Sequence, residues 1–220
     1  MKRRIGSLCM ALVLCLGLLP AKAQAAGDWT YYPKSDAEDR LYGYIERNGL
    51  RVGVRSEAEA DIGAESPYNL VIGSNGDAIP ADVTELDLTG TITDSLEQRY
   101  TITEDQSTTK NDQIKVVILP DTVKRIGATA YLNAALTSIN FPSSLESIGY
   151  SAFSGSALGK ADLSKTQITA LESSTFYQCY SLTSVQLPST LTSIGNYAFG
   201  RCTGLTELTL PQNVSQIGRS

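Results

Sequence analysis

Two cysteines are the side chains of this sequence best suited to covalent chemistry. Cys179 and Cys202 lie 23 residues apart, and each follows a phenylalanine by three residues. A reactive thiolate needs a neighbouring base, but the chain contains no histidine. That absence also removes the commonest metal ligand and every Ser-His or Cys-His pair. We therefore expect no catalytic residue, no metal site and no cofactor, and the protein is predicted not to be an enzyme.

The acidic side chains offer a second kind of chemistry, because carboxylates can bind calcium or cleave glycosidic bonds. Two clusters occur in the first third of the chain: Asp36, Glu38 and Asp39, then Glu57, Glu59 and Asp61. Neither cluster has the Asp-x-Asp-x-Asp-Gly spacing of a calcium loop. We interpret both as solvated acidic surface.

Charge is distributed unevenly along the chain. The formal net charge is −5, and the basic residues form no run after the first few positions, so nucleic acid is not an expected partner. Residues 27–112 hold 18 acidic and 7 basic residues, whereas residues 114–220 hold 5 acidic and 7 basic residues. The difference predicts two regions with different surfaces.

The N-terminus has the pattern of a secretory signal peptide. Three basic residues at positions 2–4 precede an uncharged apolar stretch that runs to Leu19, and small alanines follow. The apolar stretch is shorter than the about 20 residues of a membrane-spanning helix. We therefore expect cleavage after Ala25, or else after Ala23, with no stable membrane insertion afterwards. Residues 1–25 are thus predicted to export a secreted or cell-surface protein.

A repeated phrase organises the second half of the chain. The pattern apolar-x-x-apolar-x-apolar-Pro begins at Ile114 and returns at Leu136, Leu182 and Leu205, with a degenerate copy at Leu158 that lacks the proline. Its alternation is typical of a short strand with one apolar face. Proline has no N–H for a strand ladder, so it is expected to end each strand.

Two further phrases follow each start. The second, as in Leu145-Glu-Ser-Ile148-Gly149, predicts another short strand and then a glycine with positive φ at a corner. The third, as in Ala198-Phe199, predicts a short helical turn packed on the coil interior. Three phrases in fixed order predict a solenoid, in which equivalent strands stack about 4.8 Å apart. The predicted core residues are Leu136, Ile139, Phe141, Ile148, Phe153, Leu182, Val185, Leu187, Ile194, Phe199, Leu205 and Leu208.

One copy of the repeat is especially regular. Residues 182–202 read Leu-Thr-Ser-Val-Gln-Leu-Pro-Ser-Thr-Leu-Thr-Ser-Ile-Gly-Asn-Tyr-Ala-Phe-Gly-Arg-Cys, and this copy resembles the BspA-like leucine-rich repeat of bacteria. The resemblance implies an α/β fold: a right-handed solenoid with a parallel β-sheet on its concave face and short strands or helical turns on the other side. We place the solenoid in residues 76–220, as about six coils of which the last is incomplete.

The outward side chains of stacked strands are the natural binding surface of a repeat protein. Here they are polar and include no aromatic residue, so a hot spot of Trp, Tyr or Arg is not visible. Tyrosines of the turn segments, such as Tyr150 and Tyr197, are predicted either to pack half-buried or to form an aromatic rim. The predicted partner-binding residues are Thr137, Asn140, Lys160, Asp162, Thr183, Gln186, Thr206, Glu207 and Thr209.

Cys179 and Cys202 occupy the same position of successive coils, so we expect them to be neighbours in the stack. Export permits oxidation, and stacked coils fall within the Cα separation of about 4.4–6.8 Å that a disulfide requires. Free cysteine is also among the most buried residue types. Both alternatives, a disulfide and a pair of buried free thiols, therefore follow from the sequence.

Residues 26–75 form an acidic N-terminal flank that the repeat does not explain. Residues 41–54 alternate on both sides of Asn48-Gly49, which favours a β-hairpin with a type I′ turn. A helix is the alternative, because Asn48-Gly49 could equally end one. Either element is expected to cover the first coil, with Trp29, Tyr31 and Tyr32 as packing residues, and a partly disordered acidic leader is the third alternative.

A further segment interrupts the regular spacing of the coils. An earlier coil is visible at residues 83–88, and the next one starts only at Ile114. The acidic, Thr-rich stretch between them, residues 101–112, is predicted to be a loop inserted in one coil.

The resemblance implies a non-enzymatic protein that binds another macromolecule. We therefore expect a secreted or cell-surface leucine-rich-repeat protein that mediates recognition or adhesion, with a protein or another surface macromolecule as its partner. The alternative is a structural or targeting repeat fragment of a larger exported surface protein or enzyme.

Overall fold

The structure is a computed structural model that describes residues 28–32, 43–48, 50–56, 68–72, 83–90, 92–93, 99–105 and 114–219. The predicted signal peptide lies outside the described residues, as do the two acidic clusters. The described residues contain sixteen β-strands and no helix. The strands are β1 (Trp29–Tyr32), β2 (Gly43–Arg47), β3 (Leu50–Ser56), β4 (Tyr68–Ile72), β5 (Glu85–Asp87), β6 (Ile92–Thr93), β7 (Arg99–Asp105), β8 (Val116–Ile118), β9 (Arg125–Ile126), β10 (Ser138–Ile139), β11 (Ser147–Ile148), β12 (Lys160–Asp162), β13 (Ala170–Leu171), β14 (Ser184–Gln186), β15 (Ser193–Ile194) and β16 (Gln216–Ile217).

Each coil from β8 onward, except the one that begins at Leu205, contributes a first strand and a second strand to separate parallel ladders. First strands pair as β5-β8-β10 and as β12-β14, while second strands pair as β7-β9-β11 and as β13-β15-β16. The registers place equivalent repeat positions opposite each other, as in Ile126 with Ile148 and Leu171 with Ile194. The stacked coils therefore form the predicted β-solenoid, although the copy that begins at Leu205 forms no strand in its first phrase.

The third phrase forms turns in place of the predicted helical turns, so the α component is not confirmed. In the coil of Phe153, the amides of Ser151, Phe153 and Gly155 donate to carbonyls of the following coil at 2.7–3.1 Å. Amides given to the next coil cannot form helical bonds within their own segment. Two residues per turn have positive φ, which also prevents a helix. These residues are Thr129, Asn133, Ser151, Gly155, Ser174, Gln178, Tyr197 and Arg201.

These amide-to-carbonyl bonds between turn segments form a third ladder, which we call the turn ladder. It joins residues 129–133 to 150–154, residues 151–155 to 173–177, and residues 174–178 to 196–200. The turn segments are thus hydrogen-bonded across coils as regularly as the strands are.

The corner glycines act through close approach, and the expected positive φ is wrong for them. Gly127, Gly149, Gly195 and Gly218 are not among the positive-φ residues of the described chain. A Cβ at Gly195 would lie 2.6 Å from the amide nitrogen of Ser173, and one at Gly149 would lie 2.5 Å from that of Ala128. A side chain would push neighbouring coils apart, because real Cβ atoms do not approach backbone atoms so closely.

The interior contains a stack of aromatic rings, one from each turn segment. Tyr131, Phe153, Phe176 and Phe199 follow each other with centroids 5.4–5.5 Å apart and nearly parallel planes. Of the predicted core residues, seven are buried: Leu136, Ile139, Phe141, Ile148, Phe153, Leu182 and Ile194. The others are half-buried: Val185, Leu187, Phe199, Leu205 and Leu208. Four of these five pack against the core cluster, Leu208 being the exception.

The residues before the solenoid extend the second-strand ladder. β2 and β3 form an antiparallel hairpin in which Arg47 lies opposite Leu50, and Asn48 has a φ of 53°. This is the hairpin alternative of the sequence, since a type I′ turn needs positive φ at its central residues. The sheet order β1-β2-β3-β4-β7-β9 makes the hairpin continuous with the coils.

The predicted inserted loop is in part a strand. Residues 101–105 belong to β7, which pairs in parallel with β4 on one side and β9 on the other. β7 therefore occupies the second-strand position of the coil that begins at residue 83. Residues 106–112 lie outside the described residues.

Trp29 and Arg47 join this N-terminal sheet to the first coil. Trp29 is fully buried, and its indole Nε1–H donates to Thr89 O at 3.1 Å. The Arg47 guanidinium lies 4.3 Å from the Trp29 ring centroid and donates to the carbonyls of Thr89 and Asp87. Tyr32 is 40% exposed and stacks on Tyr44, so it packs within the N-terminal sheet. The domain boundaries themselves stay predictions.

Candidate functional site

The nine predicted partner-binding residues are all exposed. Four lie on β12 and β14, where Lys160 is opposite Ser184 and Asp162 is opposite Gln186, or directly before β14 in the case of Thr183. Three lie in the unpaired phrase that begins at Leu205, and two flank β10. We call the surface that these nine residues form the strand face; its members are Thr137, Asn140, Lys160, Asp162, Thr183, Gln186, Thr206, Glu207 and Thr209.

Three of these side chains bond to the preceding coil. The Asn140 amide spans the backbone of Leu119, accepting from its N–H at 2.6 Å and donating to its carbonyl at 2.9 Å. The hydroxyls of Thr137 and Thr183 donate to the carbonyls of Lys115 and Gly159 at 3.0 and 3.1 Å. These residues hold coils together, which leaves them less able to bind a partner.

The Asp162 side chain accepts hydrogen bonds within its own coil. Its Oδ1 accepts from the amide and the hydroxyl of Ser164, at 3.0 and 2.6 Å. Asp87 makes the same two bonds with Thr89. Both coils lack the proline that ends other first strands, so an Asp-x-Ser/Thr turn takes its place. The hydrogen bonds from Ser164 lower the pKa of the Asp162 carboxyl.

Five other strand-face residues have free functional groups: the hydroxyl side chains Thr206 and Thr209, and three residues with a charged or amide group. Lys160, Gln186 and Glu207 make no side-chain hydrogen bond or ion pair with the described part of the chain. They offer a cation, an amide and a carboxylate on three successive coils. We call these three residues the free set. Sequence reasoning included them but could not separate them from Asn140 and Thr183, because every one is a polar residue at an outward repeat position.

Cys179 and Cys202 are free, buried thiols. The Cys179 thiol donates to Phe153 O at 3.0 Å, and the Cys202 thiol donates to Phe176 O at the same distance. Each cysteine therefore bonds to the coil before it. Burial raises the pKa of both thiols, that of Cys202 to about 12. Neither thiol is ionised near neutral pH, which makes both unreactive.

Other kinds of site are not found in the described residues. They contain no group of three potential metal ligands, and no helix among them could cross a membrane. An open groove of about 380 Å³ crosses β13, β15 and β16, but Glu172 is the one ionisable residue among the described residues that line it. A lone exposed carboxylate does not form an acid-base pair.

The turn segments expose several tyrosines. Tyr150, Tyr180 and Tyr197 are 54%, 55% and 46% exposed, respectively. Tyr177 is half-buried and lies edge-on to Tyr197, with ring centroids 6.3 Å apart. Half-buried packing, the preferred alternative from the sequence, therefore holds for Tyr177 and not for the other three tyrosines, which are exposed. Arg201, beside Tyr177, was missed in the sequence, although the same repeat position holds Asn133, Gly155 and Gln178 in other coils.

Stacked coils with two strand ladders and a polar outer face define a leucine-rich-repeat β-solenoid. The BspA type leucine rich repeat region matches residues 104–220 in six copies. That match spans more than half of the sequence, so the chain belongs to the BspA type leucine-rich-repeat family. This family match indicates no enzymatic family.

Solved structures of similar fold come from several bacteria. The pneumococcal vaccine antigen PcpA is 22% identical with a TM-score of 0.61, over 81% of this chain and 47% of PcpA. A leucine-rich repeat protein from Eubacterium ventriosum is 18% identical with a TM-score of 0.51, over 80% of this chain and 48% of the other. A leucine rich cell surface protein from Faecalibacterium prausnitzii is 20% identical with a TM-score of 0.49, over 83% and 52%. The chain thus spans about half the length of these proteins, and a search of curated proteins finds no match.

Proposed function

We propose that this chain is a secreted or cell-surface, non-enzymatic protein that recognises another macromolecule, most simply a protein, and thereby serves recognition or adhesion. Family membership supports a binding role, since repeat solenoids present extended surfaces to partners. The absence of histidine from the sequence argues against acid-base catalysis.

The observation that carries this proposal is the free set. Lys160, Gln186 and Glu207 are exposed on successive coils, and their functional groups are not used by the fold. Neighbouring polar side chains such as Asn140 and Thr183 bond to the backbone of the preceding coil, which fixes the surface that presents the free set. A rigid support with unpaired polar groups lowers the ordering cost of binding.

The test is capture of partners from host-surface and bacterial-surface extracts by immobilised residues 26–220. A triple variant, Lys160→Ala with Gln186→Ala and Glu207→Ala, removes the free set without touching an intercoil bond. The control is Lys165→Ala with Gln167→Ala and Glu172→Ala, which changes the same three residue types at other exposed positions. Both variants should show the circular dichroism spectrum of the parent.

We expect at least one specific partner to bind the parent and the control, and binding to fall about tenfold or more in the free-set variant. A partner that binds all three proteins equally would place recognition elsewhere on the surface. Capture of no partner by the parent would favour the alternative, a structural or targeting module.

Export is tested separately. Expression of the full chain with its first 25 residues should yield a mature protein that begins at Ala26, or else at Gln24, by intact mass and N-terminal sequencing. A protein that retains Met1 inside the cell would contradict secretion.

A further inference from the structure

Two tyrosines and an arginine from adjacent turn segments lie side by side on the surface. The Tyr177 and Tyr197 rings are 6.3 Å apart at an interplanar angle of 74°, and the Arg201 guanidinium carbon lies 6.0 Å from the Tyr177 ring centroid. Tyr197 and Arg201 are exposed, and Tyr177 is half-buried. We call these three residues the Tyr-Arg cluster. It lies in the turn segments, apart from the strand face.

The fold does not require these side chains. Tyr197 and Arg201 have φ values of 56° and 60°, a region that disfavours bulky residues. At the same two positions other coils have small or uncharged residues, such as Ser174 and Gln178. Gly200 also leaves space for the Tyr177 ring, since a Cβ there would lie 3.0 Å from Tyr177 Cδ2. The positive φ values of Tyr197 and Arg201 therefore destabilise the turn segment, and the hydrogen bonds of the turn ladder do not use these side chains.

The chemistry of the cluster fits a carboxylate beside an apolar group. Arg201 makes no ion pair within the described residues, so its N–H groups remain available. A guanidinium next to an aromatic ring still presents a fork that matches a carboxylate. Tyrosine and arginine are also, with tryptophan, enriched in the energetic centre of protein interfaces.

The geometry favours a polypeptide over a carbohydrate. A sugar ring stacks on an open aromatic face, but Arg201 lies beside Tyr177, and Tyr197 meets that ring at a steep angle. The two rings therefore form a corner, not a platform. A corner suits a side chain that inserts between the rings.

We propose that the Tyr-Arg cluster binds an acidic polypeptide segment, in which an Asp or Glu carboxylate pairs with Arg201 and an adjacent aromatic or branched apolar side chain packs against Tyr177 and Tyr197. Charge is complementary, because residues 114–220 carry more basic than acidic residues. This proposal rests on the recognition function above and names the chemistry of a partner and a second surface for it.

The experiment selects random dodecapeptides displayed on phage against residues 26–220 at low salt. The cluster variant is Tyr177→Ser with Tyr197→Ser and Arg201→Gln, in which every new residue already occupies the same position of another coil: Ser154, Ser174 and Gln178. The control is Tyr150→Ser with Lys165→Gln, which also removes an exposed tyrosine and a positive charge. Selected peptides are synthesised and titrated by calorimetry.

We expect the selected peptides to share an Asp or Glu next to an aromatic or branched apolar residue. Their affinity should fall about tenfold or more in the cluster variant, stay at the parent value in the control, and fall again when the acidic residue is changed to its amide.

The proposal is overturned by peptides without a common acidic residue, by an affinity that the cluster variant does not change, or by selection of no peptide. Loss of peptide binding in the free-set variant alone would overturn it while leaving the recognition function intact. An array of uronic- and sialic-acid oligosaccharides provides the last arm, since binding there that depends on the cluster would replace the polypeptide with a glycan.

Discussion

The turn ladder and the strand ladders of this solenoid behave differently at one junction. Between the coil of Phe153 and the coil of Phe176, β10 does not pair with β12 and β11 does not pair with β13, although residues 114–219 are described without a gap. The turn ladder continues across the same junction, with three bonds of 2.7–3.1 Å from Ser151, Phe153 and Gly155.

The difference follows from which repeat positions the degenerate coil keeps. It has Glu172 where other coils have a corner glycine, and the amide bond that Gly195 donates to Leu171 O at 2.8 Å has no counterpart from Glu172 to Ile148. Phe176 and the left-handed Ser174, however, match their equivalents in other coils. The degenerate coil therefore keeps the residues of the turn ladder and lacks the corner glycine of the second strands.

The largest expected effect comes from breaking the aromatic stack. Phe176 is fully buried between the rings of Phe153 and Phe199, so Phe176→Ala should lower the free energy of unfolding by about 3–5 kcal/mol through the cavity it leaves. Urea titration followed by circular dichroism measures the loss.

Phe199→Ala is the matched control for that change. Phe199 is half-buried and stacks on one described ring, so the loss should be smaller than at Phe176. An equal or larger loss at Phe199 would show that the stack does not carry the difference between the ladders. Thr183→Ala, an exposed change that removes one bond to Gly159, should cost about 1 kcal/mol or less.

Adding a methyl group where two paired coils meet should lower the free energy of unfolding less than the cavity at Phe176 does. Gly195→Ala places a Cβ 2.6 Å from the Ser173 amide and 2.8 Å from the Glu172 carbonyl carbon, and these backbone atoms cannot rotate away. We expect a loss of about 2–3 kcal/mol in the same urea titration. Gly159→Ala, where nothing lies within 4 Å, should be close to neutral. Equal effects at both glycines would contradict the close-approach explanation.

The cysteines make the stability of the solenoid sensitive to alkaline pH. Burial raises the pKa of Cys179 and raises that of Cys202 to about 12, so at pH 9–10.5 the unfolded state releases the Cys202 proton that the folded state keeps. The free energy of unfolding is then highest below the unfolded pKa of about 8.5 and falls as the pH rises toward 12, by on the order of 1 kcal/mol per pH unit from Cys202. The raised pKa of Cys179 adds a loss in the same direction.

Urea titrations at pH 7.5 and 10 measure this dependence. Cys179→Ser with Cys202→Ser is the control, because serine already stands at this position as Ser156. The serine protein should lose less stability between the two pH values than the parent does. An identical loss in both proteins would show that the thiols do not titrate differently on unfolding.

The repeat and its inward-facing positions could be predicted from the sequence, because the spacing of the repeat and its large apolar residues identify them. Leu136, Ile148 and Phe153 recur at fixed spacing as large apolar residues, and all three are buried. The turn conformation could not be predicted, since Ala-Phe phrases suit a helical turn locally. Only the stacked neighbour, whose carbonyls accept alternate amides, makes the left-handed conformation favourable at Ser151.

The sequence predicted which residues form the outer surface, but it could not predict which of their polar side chains are free to bind a partner. Outward positions follow from alternation, but whether a polar side chain is free depends on which carbonyl lies beside it. Asn140 and Gln186 occupy equivalent positions, and only Asn140 spans the backbone of the preceding coil. The Tyr177 and Arg201 pairing likewise needs two coils in contact, so no single repeat shows it.

The smallest expected effect tests the irregular junction itself. Glu172→Gly restores the corner glycine, which should let the residue 172 amide bond to Ile148 O as Gly195 bonds to Leu171 O. A net bond contributes about 0.5–1.5 kcal/mol, and glycine costs about 0.5–1 kcal/mol in backbone entropy, so overall stability should change by less than about 1 kcal/mol. Hydrogen exchange by NMR separates the two contributions: the residue 172 amide should become protected while the amide of Phe153, already bonded in the turn ladder, keeps its parent rate. Continued rapid exchange at residue 172 would mean that the missing proline after Leu163, and not the missing glycine, separates the strand ladders at this coil.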